Sequence, residues 1–486
     1  MSVARNTGCN VLASMTPVVV SLATIPTQLH YLGEARFGIL AIFAILLGYF
    51  AIFDLGISRA IAQRMAAVRD GNSLERGKIF WTGLAVNLAM GGLAAVVVLP
   101  LATWFFGTQM KAPPALHSEL VVAAGWLALA VPTSLLTQVL RGAMQAGERF
   151  ATLNLIYAIG NVSSQLLPLA VAIWYSPSLT VVLPVLFMTR FASMLALIWA
   201  VLTQVLGGFA PTYDRERAKD LLSFGGWVAV SSFVTPLMTA LDRVLIGSMI
   251  STSAVSHYTV PYQLGDRTLL LPGALTDAVF PRIAARDEDG ARAMAIKALA
   301  VITAVITPIM VAGIIGLRIF LSLWISPEFA AQSATPGTIL FAGFCFAAMG
   351  IAMHVRLQAG GKPRLVAIAH LIEVVPFLCV LWLGFHFLGL PGAAVASALR
   401  FIFDMLLLAW FAGLLKEAVK LALIPAALLG VALAIGPNVT LDQPAALAAG
   451  AAAIVMAGLF GLWRLAGMGL SPHGLIIARL KRRAQA

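Results

Sequence analysis

Apolar residues in this chain gather into runs of roughly 20, separated by short polar stretches, and a run of that length spans a bilayer when helical. Fourteen such runs are read, near residues 9–29, 37–61, 79–106, 119–140, 153–175, 180–205, 225–250, 257–281, 298–325, 335–357, 366–388, 392–413, 421–437 and 445–466. The pattern predicts an all-α polytopic membrane protein of about 14 transmembrane helices. The first run lacks a small-residue cleavage site, so it is expected to be a retained helix.

Composition agrees with that pattern. Hydrophobic residues make up 60% of the chain and charged residues 11%, a balance that a water-soluble domain does not sustain. Cys9, Cys345 and Cys379 fall within apolar runs, without CxxC or Cys/His spacing. They read as small buried hydrophobes and not as a disulfide framework or metal site. No cofactor or metal is expected.

The net charge of +12 would point to nucleic acid or anionic lipid in a soluble protein. Here its distribution gives it another meaning. Alternate connections hold Arg64, Arg69, Arg76 and Lys78; Arg141 and Arg149; Arg215, Arg217 and Lys219; Arg282, Arg286, Arg292 and Lys297; Lys362 and Arg364; Lys416 and Lys420; and the tail Arg479, Lys481, Arg482 and Arg483. The opposite connections offer Arg36 and Lys111. The positive-inside rule then puts both termini in the cytoplasm, with an even number of crossings. Every external connection is too short for a soluble catalytic domain.

Three local echoes relate the first six helices to the next six. Gln-Ala-Gly closes the fourth helix at Gln145 and the tenth at Gln358; Leu32-Gly33 is matched with Ile246-Gly247; and Arg190-Phe191 with Met194 is matched with Arg400-Phe401 and Met405. They predict two pseudo-symmetric six-helix lobes, residues 1–208 (helices 1–6) and 209–413 (helices 7–12), as parallel copies about an axis along the membrane normal. Residues 414–486 supply a C-terminal helix pair and a basic tail.

An arginine near the bilayer centre costs ~3 kcal/mol or more, so it faces protein interior or a wet cavity. Counting along each helix at about 1.5 Å per residue places Arg190, Arg243, Arg267, Arg318 and Arg400 near one level, as candidate anion ligands. Pairing competes with that role. Asp242-Arg243 and Asp266-Arg267 lie at matching depth and suit cross-helix pairs, Arg400 and Asp404 share a face at i, i+4, and Arg318 can snorkel to the interface. Arg190 has no acid in its own helix. Asp54, Glu373, Asp242, Asp266 and Asp404 are candidates for ion coupling by proton or sodium; Asp54, before Gly56 and Ser58, equally suits a helix end. Prolines such as Pro132, Pro168, Pro236, Pro308 and Pro376 permit bends within the spans.

Tyr31 to Gln63, YLGEARFGILAIFAILLGYFAIFDLGISRAIAQ, resembles the opening of bacterial oligosaccharide flippases of the O-antigen and capsule export type, within the multidrug/oligosaccharidyl-lipid/polysaccharide exporter superfamily. Leu241 to Gly247, LDRVLIG, and the Gln-Ala-Gly turns fit the same resemblance. It implies a fourteen-helix, two-lobed protein of the bacterial inner membrane. The implied activity is passage of an undecaprenyl-pyrophosphate-linked glycan from the cytoplasmic to the periplasmic leaflet by alternating access, without covalent catalysis. Membrane lipids, a glycan polymerase and chain-length machinery are the implied partners, and nucleic acid is not.

Other readings fit less well. A drug exporter of the same superfamily, coupled to cations, calls for unpaired acids at the central level, where arginine is in excess. A glycan polymerase or ligase needs larger external loops, and an ATP-driven pump needs a GxxxxGK[ST] loop that the chain lacks. A lipid scramblase leaves the charges at one depth unexplained.

Overall fold

The computed structural model describes residues 3–50, 54, 57–68, 73–206, 211–218 and 241–468, with the side chains of 3–15, 17, 18, 59, 73 and 74 also outside the description. Arg69, Lys219, Pro236, the basic tail and the Cys9 side chain therefore lie outside the described residues. The described residues form helices and connecting turns, with no strand among them. By contacts the chain divides into two compact units, Met1–Ser256 and His257–Ala486. The expected repeat boundary lies at residues 208 and 209, so the helix at 241–249 packs as part of the first unit.

The first unit contains α1 (Val3–Leu32), α2 (Glu34–Tyr49), α3 (Ile57–Ala67), α4 (Ser73–Trp104), α5 (His117–Ala146), α6 (Phe150–Trp174), α7 (Leu179–Val201) and α8 (241–249). Its core element is α5, which packs on α4, α7, α3 and α2. Ile57, Ile61, Phe80, Val139, Leu140, Met144, Leu197 and Val201 fill the space between α3, α4, α5 and α7. Local signals set the ends: Ser178 precedes α7 and accepts a hydrogen bond from the Thr180 amide, which satisfies one of the donors a helix start leaves free.

The second unit contains α9 (Thr252–Thr268, which begins just before the division), α10 (Leu270–Ala284), α11 (Glu288–Trp324), α12 (Pro327–Ala359), α13 (Pro363–Leu388), α14 (Leu390–Phe411), α15 (Leu415–Ile435) and α16 (Pro444–Gly467). Here α12 is the core element, against α11, α14 and α10, while α15 and α16 both pack on α11. Ser326 accepts from the Phe329 amide with Pro327 in the first turn of α12, the favoured arrangement for a helix start. Small residues bring helices together, as expected where packing has no hydrophobic drive. A Cβ at Gly392 would lie 1.9 Å from the Gly384 carbonyl oxygen, so α13 and α14 touch backbone to backbone at that point.

Ten helices among the described residues are long and apolar enough to cross a membrane; the protein is a multi-pass membrane protein. The expected span near 257–281 is two helices, α9 and α10, separated at Leu269, and in the span near 37–61 α2 ends at Tyr49 and α3 is described from Ile57, with residues 51–53, 55 and 56 outside the description. The spans near 9–29 and 225–250 extend into residues or side chains outside the description. Cys345 is buried as expected, whereas Cys379 is exposed on α13, a correction to its reading as a buried hydrophobe: its face of the helix is left uncovered by protein.

Of the three echoes, two have matching geometry. The Gln-Ala-Gly turns end α5 and α12 with the same hydrogen bonds, Glu148 N to Gln145 O and Arg149 N to Met144 O in one, Gly361 N to Gln358 O and Lys362 N to Leu357 O in the other. This pair of bonds is the Schellman motif. Arg190 and Arg400 sit midway along α7 and α14, and α7 packs on α5 and α6 as α14 packs on α12 and α13. The corner echo fails. Gly33 turns the chain with φ +77° between α1 and α2, whereas Gly247 is helical and packed against Ile42 and Met110.

Candidate functional site

Within the first unit a cavity of about 300 Å³ opens between α2, α5, α6 and α7. Thr133, Ser134, Thr137, Gln138 and Arg141 reach it from α5, Tyr157, Asn161 and Ser164 from α6, and Arg190 and Ser193 from α7. Two guanidinium groups line it and no carboxylate does among the described residues. Arg190 and Arg141 are both exposed to this space, and neither has a carboxylate within 4.0 Å among the described residues.

Helix periodicity accounts for the polar wall. Thr133, Thr137 and Arg141 are spaced four apart on α5, and Tyr157, Asn161 and Ser164 follow at four and three on α6, so each set forms one stripe. The Arg141 guanidinium lies 5.4 Å from the centroid of the Tyr157 ring, a cation–π contact that fixes its direction. Close packing brings α6 to α7, because a Cβ at Gly160 would come within 2.4 Å of the Ser193 hydroxyl. Phe187, on the same helix as Arg190, packs between Trp126 and Phe191 with ring centroids at 5.3 and 5.9 Å. The site thus offers two fixed charges of one sign, a phenol and a row of hydroxyl and amide groups. Such a surface suits an anion with a hydroxyl-rich neighbour.

Arg190 was expected here. In the sequence Arg141 reads as a topology signal, and only the folded chain sets Tyr157, Gln138, Asn161 and Ser164 beside it. The signal was available: Asn161, Ser163, Ser164 and Gln165 crowd one polar patch inside an apolar span.

The other four arginines have different surroundings. Arg243 is buried with Asp242 on the same helix, its amide donating to Asp242 Oδ1 at 2.7 Å and its Nη1 3.7 Å from that oxygen. Their expected partners Asp266 and Arg267 belong to the second unit; Arg267 is half-buried and Asp266 exposed. Arg318 donates to the Pro437 carbonyl at 2.6 Å and so ties α11 to the turn after α15. Arg400 lies over Phe377 and Phe401, 5.3 and 4.7 Å from the ring centroids, beside a second, largely apolar cavity of about 310 Å³ between α13 and α14.

The expected pairing of Arg400 with Asp404 is corrected. Asp404 Oδ1 lies 3.6 Å from His370 Nε2, and Arg400 has no carboxylate within 4.0 Å among the described residues. The i, i+4 spacing permits a pair, but across the helix contact α13 offers Asp404 the His370 imidazole and Arg400 the Phe377 ring. Glu373 joins this group: one polar atom from each of His370, Glu373 and Asp404 lies within 4.8 Å of the others. Asp54 takes the helix-end role. Its carboxylate accepts from the Ser58 amide at 3.2 Å, the Ser58 hydroxyl at 2.5 Å and Asn87 Nδ2 at 2.8 Å, capping α3 and tying it to α4.

An ion pair that was not anticipated joins the first turns of α2 and α5. Arg36 donates twice to Glu119, Nη2 to Oε1 at 2.7 Å and Nε to Oε2 at 3.0 Å, and Glu119 Oε2 also accepts from the Leu179 amide at 2.8 Å.

Comparison with known proteins bears on what this arrangement serves. The family described as polysaccharide biosynthesis protein matches residues 31–331. A Shigella flexneri protein named as an O-antigen transporter is 27% identical over 412 residues, 84% of this chain and 97% of that protein. A Haloferax volcanii protein named as a low-salt glycan biosynthesis flippase is 23% identical over 389 residues, 77% of this chain and 76% of that protein. Among solved structures, the lipid II flippase MurJ in an inward closed conformation has TM-score 0.68 at 13% identity, covering 96% of this chain and 99% of that one. An inward-facing multidrug resistance transporter of the MATE family, in the MOP superfamily, has TM-score 0.64 at 15% identity, covering 87% of this chain and 95% of that one. At these identities the two structures speak for the fold alone.

Proposed function

The chain belongs to the polysaccharide biosynthesis protein family, and from that premise we propose that it is a flippase for a polyprenyl-pyrophosphate-linked oligosaccharide, carrying it from the cytoplasmic to the periplasmic leaflet of a bacterial inner membrane for O-antigen, capsule or exopolysaccharide synthesis. The observation that carries this reading is the cavity holding Arg141 and Arg190, with no carboxylate among its described lining residues. A pyrophosphate needs charge-assisted hydrogen bonds where it leaves water, and arginine supplies them in pairs.

The order of groups along the cavity supports loading from the cytoplasmic side. Arg141 stands near the C-terminal end of α5, on the side that the positive-inside rule makes cytoplasmic. Arg190 lies midway along α7. A head group entering from the cytoplasm meets Arg141 first and Arg190 deeper, while Asn161, Ser164 and Gln138 offer hydrogen bonds to sugar hydroxyls. The polyprenyl tail stays in lipid. Alternating access then re-exposes the head group outside, without covalent chemistry. Arg400, Arg243, Arg267 and Arg318 are secondary candidates for the same anion path, and a glycan polymerase with chain-length machinery is the proposed recipient.

The test is translocation of lipid-linked oligosaccharide in proteoliposomes carrying Arg190→Ala or Arg141→Ala. Each removes a charged hydrogen-bond donor worth ~1.5–3 kcal/mol, so a fall of roughly 10- to 100-fold is expected. Full activity in both variants, with insertion verified, would refute the anion-cavity reading. A multidrug exporter of the same superfamily is the alternative, and it predicts that cationic dyes are transported while lipid-linked glycan is not.

A further inference from the structure

The group around Glu373 is not needed for the anion cavity, which lies in the other unit, and its chemistry is different. Glu373 on α13 is 1% exposed, and neither of its carboxylate oxygens meets a hydrogen-bond donor among the described residues. Asp404 on α14 faces it, within the 4.8 Å that also includes His370. Asp404 Oδ1 likewise has no hydrogen-bond donor, and His370 Nε2 is its nearest basic nitrogen among the described residues, at 3.6 Å.

The charges do not balance as they stand. Two carboxylates face one guanidinium, Arg400, whose Nε is buried without an acceptor and whose plane rests on Phe377 and Phe401. One unit of positive charge is missing from an apolar setting that includes Pro376, Val380 and Ile402. Two acids this close in an apolar setting resist ionising together, and the pair then keeps one proton. A hard metal cation is poorly served here. Calcium, for example, takes ~6–8 oxygen ligands, whereas the described polar groups here are the two carboxylates, the imidazole and the Arg400 guanidinium, a cation that binds no metal.

A path for that proton leads to the end of α12. The His354 and His370 rings stack with centroids 6.3 Å apart at 27°, a gap wide enough for one bridging water. His354 lies in the last turns of α12, about 9 Å along the helix from the exposed turn of Gly360, Gly361 and Lys362. Burial deepens along the series, from half-buried His354 and His370 to fully buried Glu373. The remaining charge on this end of α12 is already satisfied, since Arg356 pairs with Glu288.

We propose that Glu373 and Asp404 form a proton-binding pair that holds one proton between two carboxylates and exchanges it with the aqueous end of α12 through His370 and His354. Each transfer is a relay: a proton from water reaches His354, His370 takes it up, Asp404 accepts it, and the reverse order releases it. No other bond is made or broken. The use of this proton to drive export rests on the flippase reading; the site itself does not.

The experiment is therefore made without glycan. Infrared difference spectra of the full-length protein in lipid nanodiscs should show a protonated-carboxyl C=O band at neutral pH, lost in Glu373→Gln and in Asp404→Asn. In His370→Gln the band should remain, with its exchange into deuterated water slowed at least 10-fold. Sodium titrated against the wild type should leave the band unchanged. Absence of the band in folded wild-type protein overturns the proposal, as does its persistence in either carboxyl variant. Removal of the band by sodium overturns it too, because the site then belongs to a metal cation. Translocation failing in vesicles while the band is present would count against the flippase reading alone.

Discussion

Glu148 and Gly361 occupy the same step of the same helix ending in the two units, with φ of +53° and +70°. Glu148 is the one non-glycine residue with positive φ among the described residues. Both follow a Gln-Ala-Gly turn, and both close it with the two hydrogen bonds of a Schellman motif. Each turn ends the most buried candidate span of its unit, α5 in one and α12 in the other. The repeat is therefore carried by the helices that hold each unit together, and the second copy has glycine where its backbone demands it.

That difference predicts a stabilising substitution. A residue with a Cβ in the left-handed region carries a penalty of ~1–2 kcal/mol that glycine avoids. Glu148→Gly should gain about 1 kcal/mol, and Gly361→Glu should lose a similar amount, read as opposite shifts in melting by fluorescence-detected size exclusion.

Much of this architecture was legible in the hydropathy of the chain, because a spanning helix must be apolar along its length. The break between α9 and α10 at Leu269 was not, since apolar residues continue through it. Arg190 stood out as a charge without a local acid. Arg141 did not, because near a helix end an arginine serves topology equally well, and only the stripes on α5 and α6 place it in a cavity. Asp404 was matched to Arg400 by spacing within one helix, whereas its partners come from α13. Sequence periodicity describes one helix at a time, and the site depends on which helices meet.

Asp54 offers a clean separation of two roles. If its carboxylate caps α3, Asn serves nearly as well, because Asn and Asp are comparable caps. Asp54→Asn should keep translocation within about twofold of wild type, while Asp54→Ala should cost ~1–2 kcal/mol in stability. Ion coupling through Asp54 predicts the opposite for Asn, a folded protein that no longer transports, and vesicle assays of the two variants decide between them.

Asp214 gives the connector after α7 a pH dependence. Its carboxylate accepts from the Arg217 and Glu216 amides and from Arg217 Nε, and Arg217 also pairs with Glu75. The Arg217 backbone amide first, then the Arg217 side chain, hold the Asp214 carboxyl below its usual value. A lowered folded value means that the stabilisation is fully present above the ordinary aspartate pKa of about 3.9 and fades as pH falls below it. Hydrogen exchange at residues 214–218, corrected for intrinsic rates, should accelerate only in that acid range, and Asp214→Asn should remove the pH dependence.

The pair Arg36–Glu119 should behave as a structural clamp whose parts are unequal. Glu119 is nearly buried, and besides Arg36 it satisfies the Leu179 amide at the start of α7. Glu119→Leu leaves a half-buried guanidinium without its partner, which costs less than the ~3–5 kcal/mol of breaking a fully buried pair. Arg36→Met in the same chain relieves that charge, and a well-packed apolar pair is often as stable as the ions it replaces. Recovery should nonetheless be incomplete, because the Leu179 amide is still left without an acceptor, at ~1–3 kcal/mol. Melting of the single and double variants should therefore rank wild type first, the double second and Glu119→Leu last; full recovery in the double would mean that Glu119 holds α5 to α2 alone and contributes nothing to α7.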